Sequence, residues 1–275
     1  MFAEDPSVGL PPALPAVRAR LEANIAVVRA AIAAAAERAR RPAAEVRLVA
    51  VTKYVGLDVV GALLSLGVRD LGENQVQQLV ARAARCGQPR HDWPGSAGDP
   101  ADPRPRWHLI GHLQRNKVKL LLPYARIVHG LDSVRLAEAL EQRAAELEAQ
   151  SGAPVQVDVL LEVNVSGEVT KQGVAPAEVP ALAAAVLEAR HLRLRGLMTM
   201  APYATEAETS RPHFARLREL RDELRARGAL DPGGLHLSMG MTQDYTVAVE
   251  EGATLVRVGS ALYSGLPSAD PRSPG

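Results

Sequence analysis

The sequence predicts a single (β/α)8 barrel with one additional helix at its N-terminus. Short apolar runs rich in β-branched residues occur eight times, over 47–52, 68–71, 107–111, 126–131, 155–163, 192–200, 234–239 and 254–258. Helical stretches follow seven of them, over 57–66, 75–86, 115–122, 133–150, 177–190, 206–228 and 243–251. Strands that alternate with helices pair in parallel through right-handed crossovers. Eight such units fit the 275 residues of this chain. A doubly wound open sheet is the competing topology.

The elements follow in order. From Pro12 to Arg40, apolar Val17, Leu21, Ile25, Val28 and Ile32 recur at three- and four-residue steps, with Arg and Glu between them. That spacing gives a helix with one buried stripe, and Pro42 ends it. The first strand closes on Lys53. The second run, Val68 to Leu71, carries the weakest strand signal. Gly87 to Arg106 holds five prolines and three glycines without periodicity, which predicts a flexible surface loop before the third strand. The barrel is expected to span 12–265, with flexible termini at 1–11 and 266–275. No internal repeat is visible.

Bulk composition excludes several classes. Hydrophobic residues make up 47% and charged residues 23%, as in ordinary globular chains. Aromatics are only 3%, so the core must rest on Leu, Val and Ala. With 32 basic against 31 acidic residues the net charge is +1, and no basic face for nucleic acid is implied. The single cysteine, Cys86, cannot form an internal disulfide, has no companions for zinc, and has no base nearby in sequence to activate it. The N-terminus shows no basic segment followed by an apolar one. The Ala-rich run Ala30–Ala36 is too short and too closely flanked by charge to span a bilayer. A cytoplasmic protein is expected.

In such a barrel the chemistry sits at the C-terminal ends of the strands. There this chain places Lys53, Glu73 and Asn74, His112, Asp132, Asn164, Met198–Met200, Ser238–Thr242, then Arg257 with Gly259 and Ser260. A lysine closing an apolar strand is partly desolvated. Desolvation favours the neutral amine that condenses with an aldehyde. The competing reading is a lysine whose head snorkels to solvent, and spacing alone favours it. The turns after strands seven and eight suit an anion, through backbone N–H groups and hydroxyls. Gly240 and Gly259 also fit as plain turn glycines. Arg257, inside the apolar Leu255-Val-Arg-Val258, needs a partner: a carboxylate in an ion pair, or a ring nitrogen of a ligand. His108 and His112 would chelate a metal on a helix. On a strand they stand roughly 13 Å apart, at about 3.3 Å per residue, so joint metal binding is not expected. The polar stretch Gly111–Lys117 fits either an anion contact or the solvated start of a helix.

The segments Leu48-Val-Ala-Val-Thr-Lys53, Leu71-Gly-Glu-Asn-Gln-Val76, Trp107-His-Leu-Ile-Gly-His-Leu-Gln-Arg-Asn-Lys117, Leu161-Glu-Val-Asn-Val-Ser-Gly-Glu168, Gly196-Leu-Met-Thr-Met200, Leu237-Ser-Met-Gly-Met-Thr242 and Val256-Arg-Val-Gly259 together resemble the pyridoxal phosphate homeostasis protein family. They occur in order from about residue 12 to 265 and are far more specific jointly than singly. The resemblance implies a TIM barrel of PLP fold-type III, similar to the N-terminal domain of alanine racemase. It implies pyridoxal 5'-phosphate (PLP) held as a Schiff base on Lys53, Asn74 lining the cofactor, and Arg257 facing the ring nitrogen. It also implies phosphate held by Ser238 and the Gly259–Ser260 turn. The chain departs from the family in Tyr-Val-Gly after Lys53, where a polar residue and Pro are usual, and in the long 87–106 loop.

Two functions of different class follow from the resemblance. One is a carrier that buffers or delivers PLP, with PLP-dependent apoenzymes as partners and indirect effects on amino-acid and keto-acid balance. The other is a racemase-like PLP enzyme. An arginine at the ring nitrogen weakens PLP as an electron sink, and two-base racemisation needs an acid/base group opposite the lysine. Alanine racemases take that group from a further β-domain, for which no chain is expected after 265. The carrier reading is therefore preferred, with no catalytic residue, no membrane contact and a monomer expected.

Overall fold

A computed structural model describes residues 9–93, 102–168, 171–202, 205–228 and 236–266. Eight parallel strands close into a barrel in simple sequential order. They are β1 (Arg47–Val51), β2 (Asp70–Glu73), β3 (Arg106–Leu109), β4 (Ile127–Leu131), β5 (Val157–Glu162), β6 (Leu192–Met198), β7 (His236–Ser238) and β8 (Leu255–Val258). The β1–β8 pairing, with Arg47 opposite Leu255 and Ala50 opposite Val258, seals the ring. The open-sheet alternative is thereby removed.

Eight α-helices accompany the strands among the described residues: α1 (Pro15–Arg38), α2 (Leu57–Ser65), α3 (Val76–Ala83), α4 (Val118–Leu121), α5 (Val134–Ser151), α6 (Val179–Leu187), α7 (Arg211–Ala226) and α8 (Tyr245–Glu250). α1 is the extra helix, and the stripe Val17, Leu21, Ile25, Val28, Ile32 is buried as its period requires. None of the described helices is long and apolar enough to cross a membrane.

Strand alternation sorts side chains into two layers. Outward residues such as Ala50, Leu71, Trp107, Val128, Val159 and Val256 join the large cluster beneath the helices. Inward Val49, Val51, Ile110, Ile127, Leu160, Met198 and Leu255 fill the barrel with Trp93. Interior filling of this kind makes the barrel a core rather than a pore.

Two expectations shift. β2 starts at Asp70, two residues later than the apolar run. Gly67, at φ +80°, ends α2 in a left-handed cap, and the N–H groups of Gly67 and Val68 donate back to Leu64 and Leu63. That cap uses Val68 before it can join a ladder. The second shift concerns the 87–106 loop, whose described ends are not a mobile surface. Arg90 bridges to Arg106, and Trp93 is 4% exposed. Its indole Nε1 donates to His236 Nε2 at 2.9 Å, and the Arg195 guanidinium lies 5.4 Å from its ring centroid. The tryptophan packs into the interior cluster near the N-terminal ends of the strands, beside His236 at the start of β7. Residues 94–101 of this loop lie outside the described residues, as do 1–8 and 267–275 of the expected flexible ends. Leu10 is buried against Gly61 of α2, so the packed chain begins before Pro12.

Candidate functional site

A cavity of about 990 Å³ opens at the C-terminal ends of the strands. Lys53, Asn74, Arg257, Gly259 and Ser260 all line it. The sequence places these residues on β1, β2 and β8 or just beyond, and barrel closure brings them to one rim. Leu14 and Val17 of α1 form part of the wall, so the extra helix shapes the site as well as the core.

Lys53 is half-buried, with Nζ 4.7 Å from the Tyr54 ring centroid. The residues around it are pinned. Thr52 Oγ1 donates to Glu73 Oε1 at 2.6 Å, and Glu73 is ion-paired with Arg82 Nε at 3.0 Å. Burial pushes the Glu73 carboxyl above its ordinary range, against the pull of Thr52, Arg82 and Lys53. These contacts anchor the end of β1 to β2 and α3, so the lysine leaves a rigid strand end.

Arg257 is buried in β8 and still reaches the cavity. Nη1 donates to Ser238 Oγ at 2.5 Å and Nη2 to the Thr199 carbonyl at 2.8 Å. These bonds leave other guanidinium N–H groups without a partner among the described residues. Burial lowers its pKa to about 10, with Glu162 and Asp244 opposing; it stays cationic at neutral pH. The ion-pair reading finds no support among the described residues, and the reading of a donor aimed at a ligand is left open by the free N–H groups. Among the described residues Arg257 makes no close ion pair, and its direct partners are a hydroxyl and a carbonyl.

Ser238 stands apart from the other expected residues. It does not line the cavity, and it is fully buried. Its oxygen is occupied by Arg257 and by His129 Nδ1 at 2.8 Å. The hydroxyl that the turn after β7 brings to the cavity is instead that of Thr242, whose Oγ1 accepts from the N–H groups of Gly259 and Ala261 at 3.3 and 3.4 Å. Those long bonds mark backbone donors that an anion would satisfy better. Gly240, at φ +89°, makes the turn possible: a Cβ there would stand 2.5 Å from that of Ala248. Asp244 holds the turn by accepting the Met241 N–H at 2.7 Å and the Ser210 hydroxyl at 2.9 Å. Thr242 was part of a legible motif, and only the direction of its side chain was not.

His112 also lines the cavity, with Nδ1 3.3 Å from Asp132. His108 points inward instead and bonds Asp70 and His129. No cluster of potential metal ligands occurs among the described residues. Glu162, at the inner end of β5, is raised to about 7 by burial and by Asp132, with Arg257 opposing. Sequence reading quoted Glu162 in a motif but gave it no role.

The family model described as alanine racemase, N-terminal domain, matches residues 24–267. The pyridoxal phosphate homeostasis protein of Aquifex aeolicus is 39% identical over 230 residues, covering 83% of this chain and 91% of that protein. The chain belongs to the pyridoxal phosphate homeostasis protein family. The member from Deinococcus radiodurans is 40% identical, over 88% of this chain and 100% of that one. Among solved structures, PipY of Synechococcus elongatus without PLP superposes with TM-score 0.68 at 32% identity, over 85% of this chain and 99% of that one. PipY with PLP bound superposes with TM-score 0.69 at 28% identity, over 88% and 99%. An alanine racemase from Clostridium difficile shares the fold, with TM-score 0.60 at 15% identity over 82% of this chain and 53% of that one. The family's members are named for homeostasis rather than for a reaction.

Proposed function

We propose that this chain holds PLP covalently through the Lys53 amine and serves intracellular PLP homeostasis by buffering or delivering it. The observation that carries this is the opening of three complementary groups on one cavity: an amine at a strand end, a buried cation, and a turn with underused backbone donors. PipY, solved with PLP bound, supports the same reading.

When bound, PLP supplies an aldehyde that condenses with a lysine amine and releases water. Lys53 anchors the aldehyde end. The Gly259 and Ala261 amides, with the Thr242 and Ser260 hydroxyls, suit the phosphate. Ser238 acts through Arg257 rather than on phosphate. Arg257, cationic at neutral pH, would offer a donor to the ring nitrogen and favour its unprotonated form. Asn74 closes the side of the site between β2 and β3.

This arrangement favours storage over turnover, and we propose no catalytic residue. The proposal extends to a monomer in the cytoplasm that passes PLP to apoenzymes, with indirect effects on amino-acid and keto-acid balance. An absorbance scan of the protein with added PLP tests the core claim. A visible band should form, and Lys53→Ala should abolish it. Absence of a band in the wild type, or its persistence in Lys53→Ala, would overturn the assignment. Sustained racemisation of an amino acid, lost in Lys53→Ala, would replace the carrier reading by an enzymatic one.

A further inference from the structure

A line of buried side chains crosses the barrel interior, from the carboxylate of β2 to the arginine of β8. His108 Nε2 lies 3.2 Å from Asp70 Oδ1. His108 Nδ1 lies 3.0 Å from His129 Nε2. His129 Nδ1 lies 2.8 Å from Ser238 Oγ, which accepts from Arg257. Five strands contribute one residue each, and every member is at most 7% exposed. Of the five, only Arg257 lines the cavity.

Hydrogen-bond chemistry fixes the direction of this line. Arginine only donates, so Ser238 Oγ must accept from Arg257. The Ser238 proton then has one acceptor among the described residues, His129 Nδ1. A neutral His129 must carry its proton on Nε2 and donate to His108 Nδ1. A neutral His108 then carries its own proton on Nε2 and donates to Asp70. Every donor and acceptor in the line is used once. The reverse direction would strand the Ser238 proton in a dry interior, at the cost of a buried unsatisfied donor. It would also demand a doubly protonated His108 or a protonated Asp70.

We infer that Asp70, His108 and His129 are positioning residues for Arg257, acting through Ser238 as a one-directional hydrogen-bond relay that sets where the guanidinium sits against the cavity. The relay ends on a carboxylate that is itself anchored. Asp70 lies 3.5 Å from Arg106, and Arg106 bonds Asp92 at 3.2 Å in the segment that carries Trp93. Burial alone would raise the Asp70 pKa, but the His108 hydrogen bond and the Arg106 charge hold it below its ordinary range. Burial also pushes the His129 pKa down, reinforced by the Arg257 charge. The influence on a bound cofactor rests on the PLP reading; the direction of the relay does not.

The test has a ligand-free arm and a loaded arm. Nitrogen NMR of the imidazoles in ligand-free protein should show both His108 and His129 protonated on Nε2 and bare on Nδ1. Asp70→Asn keeps an acceptor for His108 but removes its charge, so the His108 nitrogen signals should shift, while the His129 tautomer, set through Ser238, should hold. In PLP-loaded protein, Asp70→Asn and His129→Leu should shift the pH titration of the visible band and weaken PLP binding roughly tenfold, the loss expected for one charge-assisted hydrogen bond. His129→Gln, which carries an acceptor and donors on one side chain, should recover part of that loss. A merely structural role would lower thermal stability and leave the band's titration unmoved. An Nδ1-protonated His129 or a doubly protonated His108 would overturn the relay. If wild-type protein takes up no PLP, the cofactor reading fails, and the tautomers still decide the relay. Should His129→Leu fail to fold, the near-isosteric Asp70→Asn carries the loaded arm.

Discussion

Glu162 shows how one side chain can carry a readable signature of this interior. Its Oε2 is buried with no hydrogen-bond partner among the described residues, and burial with Asp132 moves its pKa from 4.5 to about 7. The folded protein therefore holds a proton that the unfolded chain releases earlier. The stability tied to that proton is fully present below about 4.5 and is lost as pH rises through about 7. The loss is on the order of 3 kcal/mol. His91 and His236, each pushed down to about 4 chiefly by burial, act with opposite sign as pH falls. The clean measurement is thus a difference between wild type and Glu162→Gln. Urea unfolding at a series of pH values should show the variant gaining on wild type as pH rises across that window. A pH-independent difference would mean that Glu162 is ionised throughout.

Among the elements, the turn after β7 and the Trp93 segment before β3 invite direct tests. Gly240 takes a left-handed conformation and its Cβ position is filled by Ala248. Gly240→Ala should cost more than about 1 kcal/mol of stability. It should also loosen the Thr242 and Gly259 contacts, so PLP affinity should fall with it. Equal PLP affinity in the variant would detach the turn from the phosphate. The Trp93 segment makes a different demand. Trp93 is a large apolar group of the interior cluster, and Trp93→Ala should cost about 3 kcal/mol in chemical denaturation. A change near zero would mean that 87–93 only rests on the barrel. The described part of the loop is packed for a definable reason. Prolines and glycines report local backbone preference, whereas the burial of Trp93 depends on a hole that exists only once eight strands have closed.

At the scale of the whole molecule, the two tryptophans happen to report on the two layers. Trp93 belongs to the interior cluster and Trp107 to the shell beneath the helices. If barrel and shell are one cooperative unit, Trp93→Phe and Trp107→Phe proteins should each show fluorescence and far-ultraviolet dichroism unfolding at coincident midpoints. Separate midpoints would reveal a barrel that outlasts its helices. The periods of 2 and 3.6 residues are local quantities, and from them the alternating units, the α1 stripe and the polar rim at the strand ends could all be read. Lys53, Asn74, Gly259 and Ser260 stand out in the sequence because a strand end is where the apolar pattern stops, and Arg257 because it is a charge inside an apolar strand. By spacing alone, however, a snorkelling Lys53 was the better reading; the ordered motifs reversed it. Only the tertiary structure decided the direction of each side chain. Register shifts at Val128/Leu131 and Val159/Leu160 interrupt simple alternation in the middle strands, and Thr242 lies in the turn beyond β7, where strand alternation no longer says which way a side chain faces. Nor could a count along the chain join His129 to Ser238, 109 residues away. Sequence determined which groups stand at the rim, through local periodicity; closure of the ring decided which of them meet, because contact across a barrel depends on stagger and twist summed over all eight strands.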